Sequence, residues 1–83
     1  MPRMPRDVSH KNLCTVLSKY GYTITRQTGS HIRLISNCMG HEHSITIPAH
    51  SPIKVGTLNN ILKNIAAYLK ITKEDLVENL FYN

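Results

Sequence analysis

The chain has 83 residues, 41% of them hydrophobic, with ten lysines and arginines against five acids and a net charge of +5. That length sets a single domain over 1–83 with a thin core, and the apolar content excludes a disordered chain. No apolar run approaches the ~18 residues of a membrane span, and Met1-Pro2-Arg3-Met4-Pro5-Arg6 has charge but no apolar stretch behind it, so neither a membrane protein nor a signal peptide is expected.

Residues 1–8 read as a short irregular arm. Ser9 then offers an N-cap, and Leu13, Val16, Leu17 and Tyr20 fall on one helical face before Gly21, predicting a helix over 9–20. From Tyr22 to Gln27 the chain alternates and is rich in β-branched residues, predicting a strand. Tyr22, Ile24 and Arg26 point one way, and Thr23, Thr25 and Gln27 the other. Thr28-Gly29-Ser30 is a turn, and His31–Ser36 a second strand with Ile32 and Leu34 on its inner face. A hairpin loop over 37–42 leads to a third strand over 44–49, with Ile45 and Ile47 inward and Pro48 marking an edge or an end.

After a loop over 50–56, Thr57 is placed to cap a helix. Leu58, Ile61, Leu62, Ile65, Ala66 and Leu69 form its apolar stripe. Thr72-Lys73-Glu74-Asp75 opens a last short helix with Leu76, Val77, Leu80 and Phe81 inside. The order is α-β-β-β-α plus a C-terminal helix, an α+β fold like that of double-stranded-RNA-binding domains. The simplest packing lays the helices on one face of a three-stranded antiparallel sheet, with Ile24, Ile32, Leu34, Ile45 and Ile47 beneath them. Fold alone does not establish function.

The charge is uneven. Residues 1–73 hold all the basic side chains and only two acids, Asp7 and Glu42. A compact body with that excess attracts polyanions, and the phosphate backbone is the commonest in a cell. Strand parity puts His31 and Arg33, extended by His50, on the uncovered sheet face, with Thr23, Thr25 and Gln27 beside them. His31 follows Gly29-Ser30, a turn whose backbone can come close to a phosphate. Histidine changes charge near neutral pH, and RNA brings its own nucleophile, the 2′-hydroxyl, so a positioned imidazole with cationic neighbours suffices for cleavage without a metal. A second anion site is expected at Lys54-Val55-Gly56-Thr57-Leu58, where a helix start exposes amide groups.

These segments together resemble the HicA (YcfA-like) family of toxin–antitoxin mRNA interferases. The resemblance is carried by Pro2-Arg3-Met4-Pro5, Leu17-Ser18-Lys19-Tyr20-Gly21-Tyr22, Arg26-Gln27-Thr28-Gly29-Ser30-His31-Ile32-Arg33-Leu34, Thr46-Ile47-Pro48-Ala49-His50-Ser51 and Gly56-Thr57-Leu58-Asn59-Asn60-Ile61-Leu62. It implies an endoribonuclease toxin that cuts mRNA, with His31 as the catalytic histidine and a HicB-type antitoxin protein masking the active face. The candidate RNA contacts are Arg26, Gly29, Ser30, Arg33, His50, Lys54 and Thr57. The role of His50 stays open between second acid or base, RNA contact and structural bystander. The Cys- and His-rich hairpin loop and the longer second helix are departures from the family's pattern.

No cofactor is expected. Cys38, His41 and His43, with Glu42 or Cys14 to complete a set, invite a zinc reading, but their spacing matches no closed site and a solvated loop is the better reading. Cys14 and Cys38 are read as free thiols of a cytoplasmic protein. The rival functions are a non-catalytic double-stranded RNA-binding module, which needs no titrating group at the phosphate, and a plain protein-interaction domain.

Overall fold

The computed structural model describes Pro5 and residues 7–82. Most of the expected N-terminal arm, including the Pro2-Arg3-Met4 part of its motif, therefore lies outside the described residues. Ser9 has extended backbone and its hydroxyl accepts from the Asn12 amide at 3.0 Å, which satisfies one of the orphan donors of a helix start. Helix α1 covers His10–Leu17 and tightens into a 3-10 turn over Ser18–Tyr20. It stops at Gly21, where φ is 80° and an added Cβ would lie 3.2 Å from the Ser36 hydroxyl. Glycine suits that left-handed backbone and that close approach.

Three antiparallel strands follow in the order β1 (Thr23–Thr28), β2 (His31–Ser36) and β3 (His43–Pro48). Helix α2 covers Val55–Leu69 and α3 covers Lys73–Phe81, completing the expected α-β-β-β-α order with its short C-terminal helix. Thr72 caps α3 by accepting from the Asp75 amide at 3.0 Å. The cap of α2 is Lys54, not Thr57: the helix begins two residues earlier than Thr57, which sits inside its first turn. Lys54 makes no side-chain capping bond, so its extended backbone alone starts the helix.

One core cluster joins Ile32, Leu34, Ile45 and Ile47 of the sheet to Leu13 and Leu17 of α1, Leu58, Leu62 and Ile65 of α2 and Leu76 and Val77 of α3. Ile24 is the exception to the expected inner face. It is 56% exposed, because β1 is an edge strand and a hollow of about 380 Å³ separates it from α1.

The 37–42 loop is anchored rather than merely solvated. The Tyr68 hydroxyl accepts from the Met39 amide at 3.1 Å and donates to the His41 carbonyl at 2.5 Å. The His43 ring stacks on Tyr68, with centroids 4.6 Å apart, and its Nδ1 lies 2.6 Å from the Tyr22 hydroxyl. Burial, reinforced by nearby His41, holds the His43 imidazole below the ordinary histidine range. The fold therefore favours neutral His43. Its contribution is complete above the unfolded-state value of about 6.5 and is lost as pH falls through the lower folded-state value. We expect the melting temperature to drop on acidification below about pH 6.5, and to drop less in His43→Gln. Equal pH slopes for the two proteins in thermal melts would rule out this linkage.

Candidate functional site

The geometry of the uncovered sheet face depends on one irregularity. Ile24 pairs with Leu34, but the next pair is Arg26 with Arg33, so Thr25 is an extra residue, a β-bulge. Residues directly opposite in a sheet share a face, and an extra residue flips everything after it. Arg26 and Thr28 thus join the open face, and Gln27, opposite Ile32, turns to the helix side. This corrects the expected alternation, which put Gln27 beside His31 and left Arg26 under the helices. Thr23, ahead of the bulge and opposite Ile35, keeps its expected face.

Two cross-strand rows result. Arg26, Arg33 and Thr46 form one; Thr28, His31 and Pro48 form the next. Arg26, Thr28, His31, Arg33 and Thr46 together line a concavity of about 160 Å³ with no acidic side chain in its wall. His31 is exposed at the first position of β2, as strand parity requires. Arg33 donates from Nη2 to the Ser44 hydroxyl at 3.2 Å, which steers the guanidinium along the face.

The turn before His31 is a two-residue connection, Gly29-Ser30, between the paired Thr28 and His31. Gly29 has φ 56° and is the left-handed residue in it, the pattern of a II′ hairpin with glycine first. Space around Gly29 is open. The Ser30 carbonyl accepts from the Ala49 amide at 2.6 Å, so the His31 turn is tied to the segment that carries His50.

That segment, 49–54, contains no helix or strand. Three attachments fix it: the Ser30 bond, an Ile53 amide bond to the Val8 carbonyl at 2.8 Å, and a side-chain bond between His10 Nδ1 and the Ser51 hydroxyl at 2.9 Å. His50, Lys54 and Thr57 line a second cleft, of about 470 Å³, with Pro48, Pro52 and Ile53. Pro48 is a wall of this cleft and the register partner of His31, so the two hollows adjoin. The predicted site residues thus fall into two neighbouring groups, Arg26, His31 and Arg33 in one and His50, Lys54 and Thr57 in the other.

Thr28 and Thr46 were not among the candidate contacts, yet both stand in the wall beside His31. No local signal marked the bulge that carries Thr28 there, because every residue of β1 is exposed. The Cys38, His41 and His43 group does not converge: no cluster of three metal-ligating side chains occurs among the described residues. Cys14 and Cys38 are free thiols.

The model of the family described as "HicA toxin of bacterial toxin-antitoxin" matches residues 11–66, which run from α1 through the sheet into α2. The chain belongs to the HicA toxin family. It is the toxin component of a toxin–antitoxin pair, and its partner is an antitoxin. Searches of curated proteins and of solved structures found no match. The match takes in both hollows of this HicA-type toxin, along with the Gly29-Ser30-His31 turn and the Lys54–Leu58 helix start. No helix among the described residues is long and apolar enough to cross a membrane.

Proposed function

We propose that this toxin is an mRNA interferase, an endoribonuclease that uses His31 at the reacting phosphate and is held in check by a HicB-type antitoxin in the cytoplasm. The observation that carries the reading is an exposed imidazole sharing one concavity with two arginines and no acid. The substrate's 2′-oxygen attacks the adjacent phosphorus, its proton passing to a base, and the bond to the 5′-oxygen breaks as that oxygen gains a proton. The products are a 2′,3′-cyclic phosphate and a 5′-hydroxyl. His31 moves the proton, and Arg26 and Arg33 bear the negative charge on the phosphorus oxygens. Because the nucleophile comes from the RNA, the step calls for no metal or other cofactor.

The second cleft holds the strand next to the cut. Lys54 and the first-turn amides of α2 face a neighbouring phosphate, and His50 lines the same cleft with Pro48, placed as a contact or as a second proton carrier. Gly29 and Ser30 present the turn backbone to the same strand. A positive surface of this kind suits an acidic face of the antitoxin as well, so inhibition by covering follows from the same charge.

Incubating the purified toxin with labelled RNA tests the reading. Cyclic phosphate ends on the cut RNA, and no cut at a 2′-deoxy position, are expected; binding without cleavage would leave a binding module instead. We expect Lys54→Ala to weaken RNA binding and to reduce the slope of log affinity against log salt by roughly one phosphate contact, as counterion release requires. An unchanged slope in titrations at several salt concentrations would remove Lys54 from the phosphate path.

A further inference from the structure

Arg26 and Arg33 are directly opposite each other on neighbouring strands, roughly 5 Å apart at Cα. Like charges in that relation destabilise a sheet. Nothing acidic lines the concavity to relieve them. Arg33 has a serine hydroxyl as its side-chain partner, and the Arg26 guanidinium has neither hydrogen bond nor ion pair among the described residues. A regular strand would have turned Arg26 to the other face. The bulge at Thr25 costs ladder bonds and brings it beside Arg33. Two irregularities that each weaken the free fold therefore converge on one small hollow. Its other walls, Thr28 and Thr46, add hydroxyl donors, and His31 stands two residues along β2 from Arg33, roughly 7 Å away.

The geometry points to a dedicated seat for a single tetrahedral phosphoryl group between the Arg26 and Arg33 guanidiniums, with the Thr28 and Thr46 hydroxyls completing its donors. Arginine's planar fork suits two-point contact with phosphate oxygens, and two forks facing one hollow define one anion rather than a diffuse patch. This inference rests on the proposed function for the identity of the natural ligand, a phosphodiester of RNA. It goes further in adding the Thr28 and Thr46 hydroxyls to the arginines' donor set and in predicting that the empty seat lowers stability. Free inorganic phosphate has the same chemistry and should occupy it as well.

The test is thermal melting of the whole chain in chloride and in inorganic phosphate at matched ionic strength. Wild type should gain about 5 °C near saturation, since an anion that binds only the folded state raises its stability. Arg26→Gln should melt at or above wild type in chloride, because the like-charge pair is gone, and should lose the phosphate response; Arg33→Gln serves if the first variant fails to fold. A 2′-O-methyl RNA, which offers phosphodiesters but no nucleophile, should displace phosphate from wild type and so separate the two ligand sources. No phosphate-specific shift in wild type, or an equal shift in the variant, overturns the seat. The two readings fail separately. A phosphate response in a protein that leaves RNA uncut keeps the seat and rejects the nuclease. Cleavage of RNA by a wild type that shows no phosphate response does the reverse.

Discussion

His31→Ala should lower RNA cleavage by about 10²–10⁴-fold, the range expected for losing a general acid or base, and should abolish growth arrest on expression while the protein stays folded. The side chain is exposed at a strand end and sits in no part of the core. Surface replacements of that kind change stability by about 0.5 kcal/mol or less. Matched melting curves with lost cleavage would separate chemistry from folding. Cleavage and toxicity at wild-type levels would remove the imidazole from the mechanism, leaving the arginine-lined hollow as a binding surface only. The variant should still form a complex with the antitoxin, because one imidazole on a broad basic face contributes little to a protein interface.

Leu34→Ala should act in the opposite way, by unfolding. Leu34 is fully buried in the central strand, opposite Ile45 and two residues from Ser36, whose hydroxyl fixes the strand end by donating to the Tyr20 carbonyl at 2.7 Å. Removing its side chain leaves a cavity in the core that the sheet shares with the helices, at a cost of about 2–5 kcal/mol. Small domains have only about 5–15 kcal/mol in total, and one with so thin a core lies toward the lower end. Denaturant midpoints should fall sharply, and growth arrest should weaken through loss of folded toxin. Excess antitoxin-bound protein should regain stability, since a partner that binds only the folded chain stabilises it. A midpoint within 1 kcal/mol of wild type would mean that the helices close over the gap, and the core would then be less tightly packed than its burial implies.

The two variants together address how the fold serves the site. β2 is paired on both sides, carries the buried Ile32 and Leu34 on one face and presents His31 and Arg33 on the other. Period-two alternation couples the two sets, because a shift of one residue would exchange them. The core therefore fixes the orientation of the candidate catalytic face, and a loosened core should misplace the arginines before it abolishes binding. Regulation by a partner fits this construction: covering one face suffices when every proposed contact lies on that face and along its border with the 49–54 segment.

Much of this was legible in the residues themselves. Each helix announced itself by a cap, an apolar stripe or a terminating glycine, all of them local signals set by backbone hydrogen bonding. β2 and β3 were readable because one face of each is buried, so hydrophobic alternation fixes their direction. That placed His31 and Arg33 on the open face with no knowledge of the fold, and the Gly29-Ser30-His31 turn followed from backbone stereochemistry. β1 was different. Its residues are all exposed, so no burial pattern constrained its phase, and a bulge leaves no mark in a run such as Thr-Ile-Thr-Arg-Gln-Thr. Only cross-strand pairing with β2 decided that Arg26 stands beside Arg33 and that Gln27 does not face His31. Likewise, only packing decided that the Cys- and His-rich loop is held by Tyr68, and that a hydrogen bond from Ala49 to Ser30 draws the two hollows together. Those are contacts between residues far apart in the chain, and local periodicity carries no information about them.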